Sequence, residues 1–376
     1  MNSRRKFLLG LTSLGGIGVI SSLNTFIDIP LTALFSAQQQ WLVSCGKDRQ
    51  GHFFVAAFDL SGKLISQIPL PARGHDVIAM PSKPGHALVF ARRPGQFIFE
   101  VDFRQGSIIK RVNVESERRL YGHGVLIDND RLLLTTENDY QLARGVIVIR
   151  DTSNYQVVAQ YDSGGVGPHQ LAVMPNTNGK QIVVANGGIQ THPEYGRKKL
   201  NLATMQPNLA YMSLPSGQLD DTFELANKHL SIRHLDVSST GKVVAGLQYQ
   251  GRLNDEVPLA ISHHGEAQLS VLNAEQSTWR SMKHYTSSVC INSLNNTVAI
   301  TCPRANLVTY WQLNSGDFIA SYKIKDGAGV TLLANNFIVS TGRGRIIAQQ
   351  NPTQDYSIRG DFEPLQWDNH MNAIFV

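Results

Sequence analysis

The chain has 376 residues, 34 of them basic and 29 acidic, for a formal net charge of +5. Residues 1–37 carry Arg4, Arg5, Lys6 and Asp28; without them 31 basic residues face 28 acidic ones, an excess of 31 − 28 = +3. Such a balance lacks the concentrated basic face that a phosphate backbone requires, which argues against nucleic acid as a partner. Three cysteines, Cys45, Cys290 and Cys302, are too few and too scattered for a disulfide framework or a cysteine-based zinc site.

The chain begins with Ser3-Arg4-Arg5-Lys6-Phe7-Leu8, and an uncharged apolar run continues to Ile20. Paired arginines ahead of a moderately apolar segment match the twin-arginine export signal. The run is shorter than the ~20 apolar residues needed to span a bilayer. Leu34-Phe-Ser-Ala37 is a poor cleavage site, so membrane attachment through an uncleaved signal stays open. The expectation is a periplasmic protein with a signal segment at 1–37 and a single domain at 38–376.

Within that domain one short element recurs: an apolar strand opened by histidine, a polar turn, and further strands separated by Gly, Asn or Asp turns. It occurs at His75-Asp-Val-Ile-Ala-Met80, His123-Gly-Val-Leu-Ile127, His169-Gln-Leu-Ala-Val-Met174, His234-Leu-Asp-Val237 and His370-Met-Asn-Ala-Ile-Phe-Val376. Ser288-Val-Cys-Ile-Asn292 and Ala328-Gly-Val-Thr-Leu332 keep the strand without the histidine. Four strands per repeat and roughly 48 residues per repeat predict an all-β, seven-bladed β-propeller. The first blade, built from strands near Trp41, His52 and Lys63, has no opening strand of its own, whereas His370 to Val376 is an inner strand with nothing after it. The carboxyl-terminal strand is therefore expected to complete the first blade and close the ring, leaving no open sheet edge between first and last blades. Cys290 and Cys302 fall on consecutive strands of a hairpin turning at Asn295-Asn296, so a bridge between them is geometrically conceivable.

Blades four and five are lengthened by insertions between their second and third strands, at residues 187–207 and 250–266. Long loops of this kind are more often functional than accidental. In an antiparallel blade they emerge on the face where the inner strand starts, beside the expected histidines. They bring His192, Glu194, Tyr195 and Arg197 in one case, and His263 and His264 in the other.

Ser3-Arg-Arg-Lys-Phe-Leu8, Tyr121-Gly-His-Gly124, Gly167-Pro-His-Gln-Leu171, Ile232-Arg-His-Leu235 and Asn369-His-Met-Asn372 together resemble one family. It is the family of twin-arginine-exported propellers of uncharacterised function in proteobacteria, often encoded beside imelysin-type and dihaem oxidoreductase-like proteins. The resemblance covers nearly the whole chain. It implies a periplasmic protein connected with iron handling and with such neighbours as partners, and it supplies no reaction or residue role. More distantly the blade pattern is similar to lactonase-type and YVTN-type propellers, a fold that does not decide function.

Five histidines opening inner strands would stand at one end of the central channel. His75, His123, His169, His234 and His370 thus form a candidate first shell for iron, copper or zinc, all of which accept imidazole. Alternatively each ring bonds the neighbouring blade and locks the structure, or one of them transfers protons. Turns on the same face carry Lys47, Arg49, Arg92, Arg93, Arg304, Arg343 and Arg345. Arginine forks suit carboxylates and phosphates, so Arg92, Arg93, Arg304 and Arg343, with His192, His263 and His264, are candidate ligand-binding residues. Glu137-Asn-Asp139 is read as a mouth-side turn able to offer a carboxylate base. No nucleophile elbow, phosphate loop, zinc helix or haem-attachment motif is present. The expected role is a binding or accessory protein of an iron-related system that holds a metal, an anionic metal chelate or a partner protein at the mouth. A hydrolase or oxidoreductase using the same histidines, and an interaction scaffold, are the alternatives.

Overall fold

The computed structural model describes residues 40–196, 198–349, 352 and 356–376. The expected signal at 1–37 and Arg197 lie outside the described residues. Seven antiparallel four-stranded sheets make up the described chain, arranged as a seven-bladed β-propeller. Six sheets take their strands in sequence order. In the remaining one, the terminal strand Gln366–Phe375 pairs antiparallel with Gln40–Lys47, placing Ala373 opposite Leu42 and Ile374 opposite Trp41.

The apolar residues of that terminal strand are buried against neighbouring blades. Trp367 and Met371 are buried with Leu42, Phe54 and Phe58 of the first blade and Leu333, Ile338 and Ile346 of the seventh. Trp367 stands edge-on to Phe54 at 5.8 Å, while Ile374 joins the cluster shared by blades one and two. Each fully buried side chain of this size contributes about 1.5–3 kcal/mol. Successive blades pack in the same way, whereas the outermost strands, such as Val157–Asp162, are largely exposed.

Several details depart from the sequence reading. The second insertion ends earlier than expected, since Ala260–His263 is the third strand of blade five and His263 pairs with Val243 at the end away from the mouth. Apolar residues from Val257 onward fill the core there, which is why a strand stands where a loop was expected. A short helix, Gln276–Ser281, follows the two-residue outer strand of that blade, and its Trp279 stacks on Trp311 at 4.9 Å. Glu137 is not in a turn: it is buried inside the strand Leu132–Asp139 and bonded by Arg150 at 2.7 Å, so it is a core ion pair and offers no accessible base. All three cysteines are free, and Cys290 stands opposite Ala299 rather than Cys302.

Candidate metal and ligand site at the channel mouth

The histidines do not simply open their strands; each lies where the inner strand breaks register with its neighbour. The break falls between Gly74 and Val77, between Leu120 and Gly124, between Pro168 and Gln170, and between Ile232 and Leu235. In blade one it falls between Ser44 and Gly46, opposite His370. A bulge adds a residue without a ladder partner and re-aims its side chain, here into the channel. Hydroxyls on second strands hold carbonyls at these breaks: Ser44 donates to the His370 carbonyl at 2.6 Å and Thr136 to that of His169 at 3.2 Å. Gly122 has φ of +103°, and a Cβ there would lie 2.5 Å from His75 Cδ2. Its lack of a side chain lets His75 and His123 approach to 4.9 Å between ring centres.

All five imidazoles converge. His169 Nε2 lies 3.0 Å from His234 Nε2, which in turn lies 3.1 Å from His370 Nε2. A neutral ring nitrogen holds one proton or one lone pair, so His234 Nε2 does not satisfy both neighbours by ordinary hydrogen bonding. The Nδ1 atoms of His169 and His234 and the Nε2 of His123 are buried without a partner. Two rings are anchored from behind by carboxylates of the preceding blade: His75 Nδ1 contacts Asp368 at 3.2 Å, and His123 Nδ1 contacts Asp76 at 3.1 Å. Asp368 also receives Arg73 and, at 2.9 Å, Arg92.

Burial drives the electrostatics. It lowers His75 to about 4 despite the opposing bond from Asp368. His169, His234 and His370 are held well below the ordinary imidazole value by burial first and by their neighbours second. Burial works against ionisation of Asp76, yet the His123 bond and surrounding imidazoles hold it at about 2. Asp368 is likewise held far below the usual carboxylate range: burial opposes ionisation there, but the His75 bond and Arg92 outweigh it. At neutral pH His75, His169, His234 and His370 are therefore neutral imidazoles, with lone pairs available, and the carboxylates of Asp76 and Asp368 are ionised.

That donor set fits a transition metal. One ligand atom each from His75, His123, His169 and His234 lie within 4.8 Å of one another. Ligands ~2.1 Å from one ion stand about 3 Å apart at right angles and about 4.2 Å apart across it, so small ring movements would suffice. A carboxylate on the far ring nitrogen, as at His75 and His123, is what fixes the tautomer and orientation of metal-binding imidazoles.

The expected rim divides. Arg92, Arg93 and Arg304 line a cavity of about 250 Å³ above His75, His169 and His234. Arg343 lies elsewhere, in a larger groove with Arg49, Arg345 and the acids Asp326 and Glu363. His192 is on the first insertion, where it caps a short 3₁₀ turn and packs on Tyr140 at 4.9 Å; it does not line the cavity. His263 is bonded to Tyr211 at 2.6 Å and to the Glu266 carbonyl at 2.8 Å, and His264 contacts the Thr240 carbonyl at 3.0 Å. Both stand at the opposite end of blade five, as the strand ending at His263 requires. The sequence reading passed over Asp76, Asp368, Lys199 and Arg233. Arg233 and Asp76 directly adjoin His234 and His75, a signal available in the sequence, whereas nothing local marks Asp368 or Lys199.

A β-propeller whose channel mouth gathers five histidines, four of them buried, beneath a cation-lined cavity defines the structural class. The pattern of the family described as "Protein of unknown function (DUF1513)" matches residues 68–374, and the chain belongs to that family. No curated protein matches it. Among solved structures, Kuenenia stuttgartiensis Hydrazine Synthase is similar with a TM-score of 0.59 and 11% identity, covering 82% of this chain and 91% of that one. A functionally unknown protein from Desulfotomaculum acetoxidans DSM 771 is similar with a TM-score of 0.58 and 8% identity, covering 89% and 98%. At such identities the likeness shows the fold alone.

Proposed function

We propose that this chain binds a transition-metal ion, such as iron, copper or zinc, through the histidine cluster, and serves as a periplasmic binding or accessory component of an iron-related system. The observation that carries the metal reading is the convergence of imidazole nitrogens: the Nε2 atoms of His169 and His370 lie 3.0 and 3.1 Å from His234 Nε2, which cannot satisfy both, and the buried Nε2 of His123 has no partner. Burying polar atoms without partners is costly, and an ion at their centre would satisfy them together. His75, His169 and His234, with His123 and His370 beside them, would hold it; the ion would supply a Lewis-acidic centre facing the cavity. The export and iron connections rest on Ser3 to Leu8 and on the family resemblance.

Metal analysis of the protein purified from the periplasm of its native host tests the reading. The expected result is close to one metal ion per chain, lost on chelation, with a rise in melting temperature when it is restored. An ion present at 100 times its dissociation constant adds about 2.7 kcal/mol. Folded protein that neither carries metal nor gains stability from iron, copper or zinc would end the proposal.

A further inference from the structure

The cavity above the histidines has an unusual charge balance. Arg93, Lys199, Arg233 and Arg304 come from four different blades and line one space, and no aspartate or glutamate lines it. Arg92, also on the wall, is engaged by Asp368. The other four cations have no acidic partner within ion-pair distance among the described residues. Arg233 is 6% exposed, and its Nε is buried without a partner. Arg93 has a buried Nη1 in the same condition and lies over the Tyr121 ring at 5.5 Å. Arg304 lies over Tyr285 at 4.1 Å, and among the described residues Lys199 donates to Gln250.

Gathering like charges in a recess costs energy that folding does not recover, and the residues register it. Burial and then Arg93 lower Arg233 to about 10, and Lys199 is lowered by burial and then by Arg233, Arg304 and Arg93. Elsewhere the chain neutralises its buried cations, as Glu137 does for Arg150 at 2.7 Å. Recesses lined by one sign of charge concentrate ligands of the opposite sign.

We infer that this cavity is a binding site for a small di- or tricarboxylate, held between Arg93, Arg233, Arg304 and Lys199 directly above the histidine cluster. Arginine forks recognise carboxylate and phosphate oxygens alike, so the shape of the cavity decides between them. The cations come from separate blades around the space, and the rings of Tyr121 and Tyr285, beneath Arg93 and Arg304, line it with them. A carbon skeleton with separated carboxylates meets several such points and packs on the rings; a compact tetrahedral anion does not. The inference shares its site with the metal reading but stands on the cations alone. If an ion also occupies the histidines, its charge increases the demand for an anion above it.

Titration calorimetry with tricarballylate, succinate and inorganic phosphate, on metal-free protein and on protein loaded with zinc, tests this. These carboxylates are weak enough chelators to leave a bound ion in place. The expected result is saturable carboxylate binding that weakens with added salt and exceeds phosphate binding at least tenfold. Arg93→Gln, at a half-buried position, should weaken it tenfold or more; Arg233→Met should do the same, with folding checked by its melting curve. Arg343→Gln, in the separate groove, should leave it unchanged. Preference for phosphate, loss of binding in Arg343→Gln but not in Arg93→Gln, or no saturable binding in either form would overturn the assignment. Metal content measured on the same samples keeps the two readings apart: metal without carboxylate binding sinks this one, and carboxylate binding without metal sinks the other.

Discussion

Blades one to five present histidine at the bulge of the inner strand, while blades six and seven place Ser288 and Ala328 at the corresponding points. In blade seven the register still breaks between Gly327 and Gly329, and Thr301 of blade six donates to the Ala328 carbonyl at 2.7 Å. That contact is the counterpart of Thr136 on the carbonyl of His169. The bulge and its inter-blade bond thus form with a methyl side chain as well as with an imidazole. Backbone and hydroxyl join the blades here; the histidine adds something the architecture does not require, which favours a ligand role over ring locking.

The largest expected effect tests the architectural half of that contrast. Deleting residues 370–376 removes Met371 and Ile374 from two clusters and strips the ladder from Trp41, Leu42 and Val43. Loss of this burial should exceed about 5 kcal/mol, a large part of the ~5–15 kcal/mol of a typical domain. Loss of a cooperative melting transition is the expected outcome, and a truncated chain that melts near the parent temperature would break the closure.

An intermediate effect is expected at the carboxylates behind the rings. Asp368→Asn leaves Arg92, and the more exposed Arg73, without their buried counter-charge, at a cost of about 2 kcal/mol once solvent screening at Arg73 is allowed for. It also replaces the ionised anchor of His75 by a neutral amide, which should weaken metal binding 10–100-fold. Chemical denaturation with parallel metal titration checks both, and unchanged metal affinity in a folded variant would deny Asp368 an orienting role.

The smallest effect on stability is the most informative. His169→Ala copies the blade-seven solution and deletes a ring whose Nδ1 has no partner. Stability should change by no more than about 1 kcal/mol, while metal stoichiometry falls. A severe loss of stability would return the histidines to the architecture.

The blades, their closure and the five histidines were legible in the sequence because they are carried by periodicity and by a residue type repeated at one place in each period. Partners across the ring were not. Asp368 and His75 are 293 positions apart, and nothing local to Trp367-Asp368-Asn369 marks the carboxylate as belonging to another blade's imidazole. The basic turns were placed on the correct face, but which blades share a cavity depends on the geometry of the ring, so Arg343 separated from Arg92, Arg93 and Arg304. His263 and His264 were misplaced because an apolar strand of four residues was too short to stand out from a loop.

The strand Gln366–Phe375 also sets an order of events. A chain synthesised only through blade seven is a horseshoe whose first blade lacks its inner edge, and the mouth of that horseshoe has neither His370 nor the carboxylate behind His75. Unfinished or carboxyl-terminally clipped chains thereby lack His370 and the carboxylate that anchors His75. Completing the circle and completing the five-histidine cluster are therefore one step.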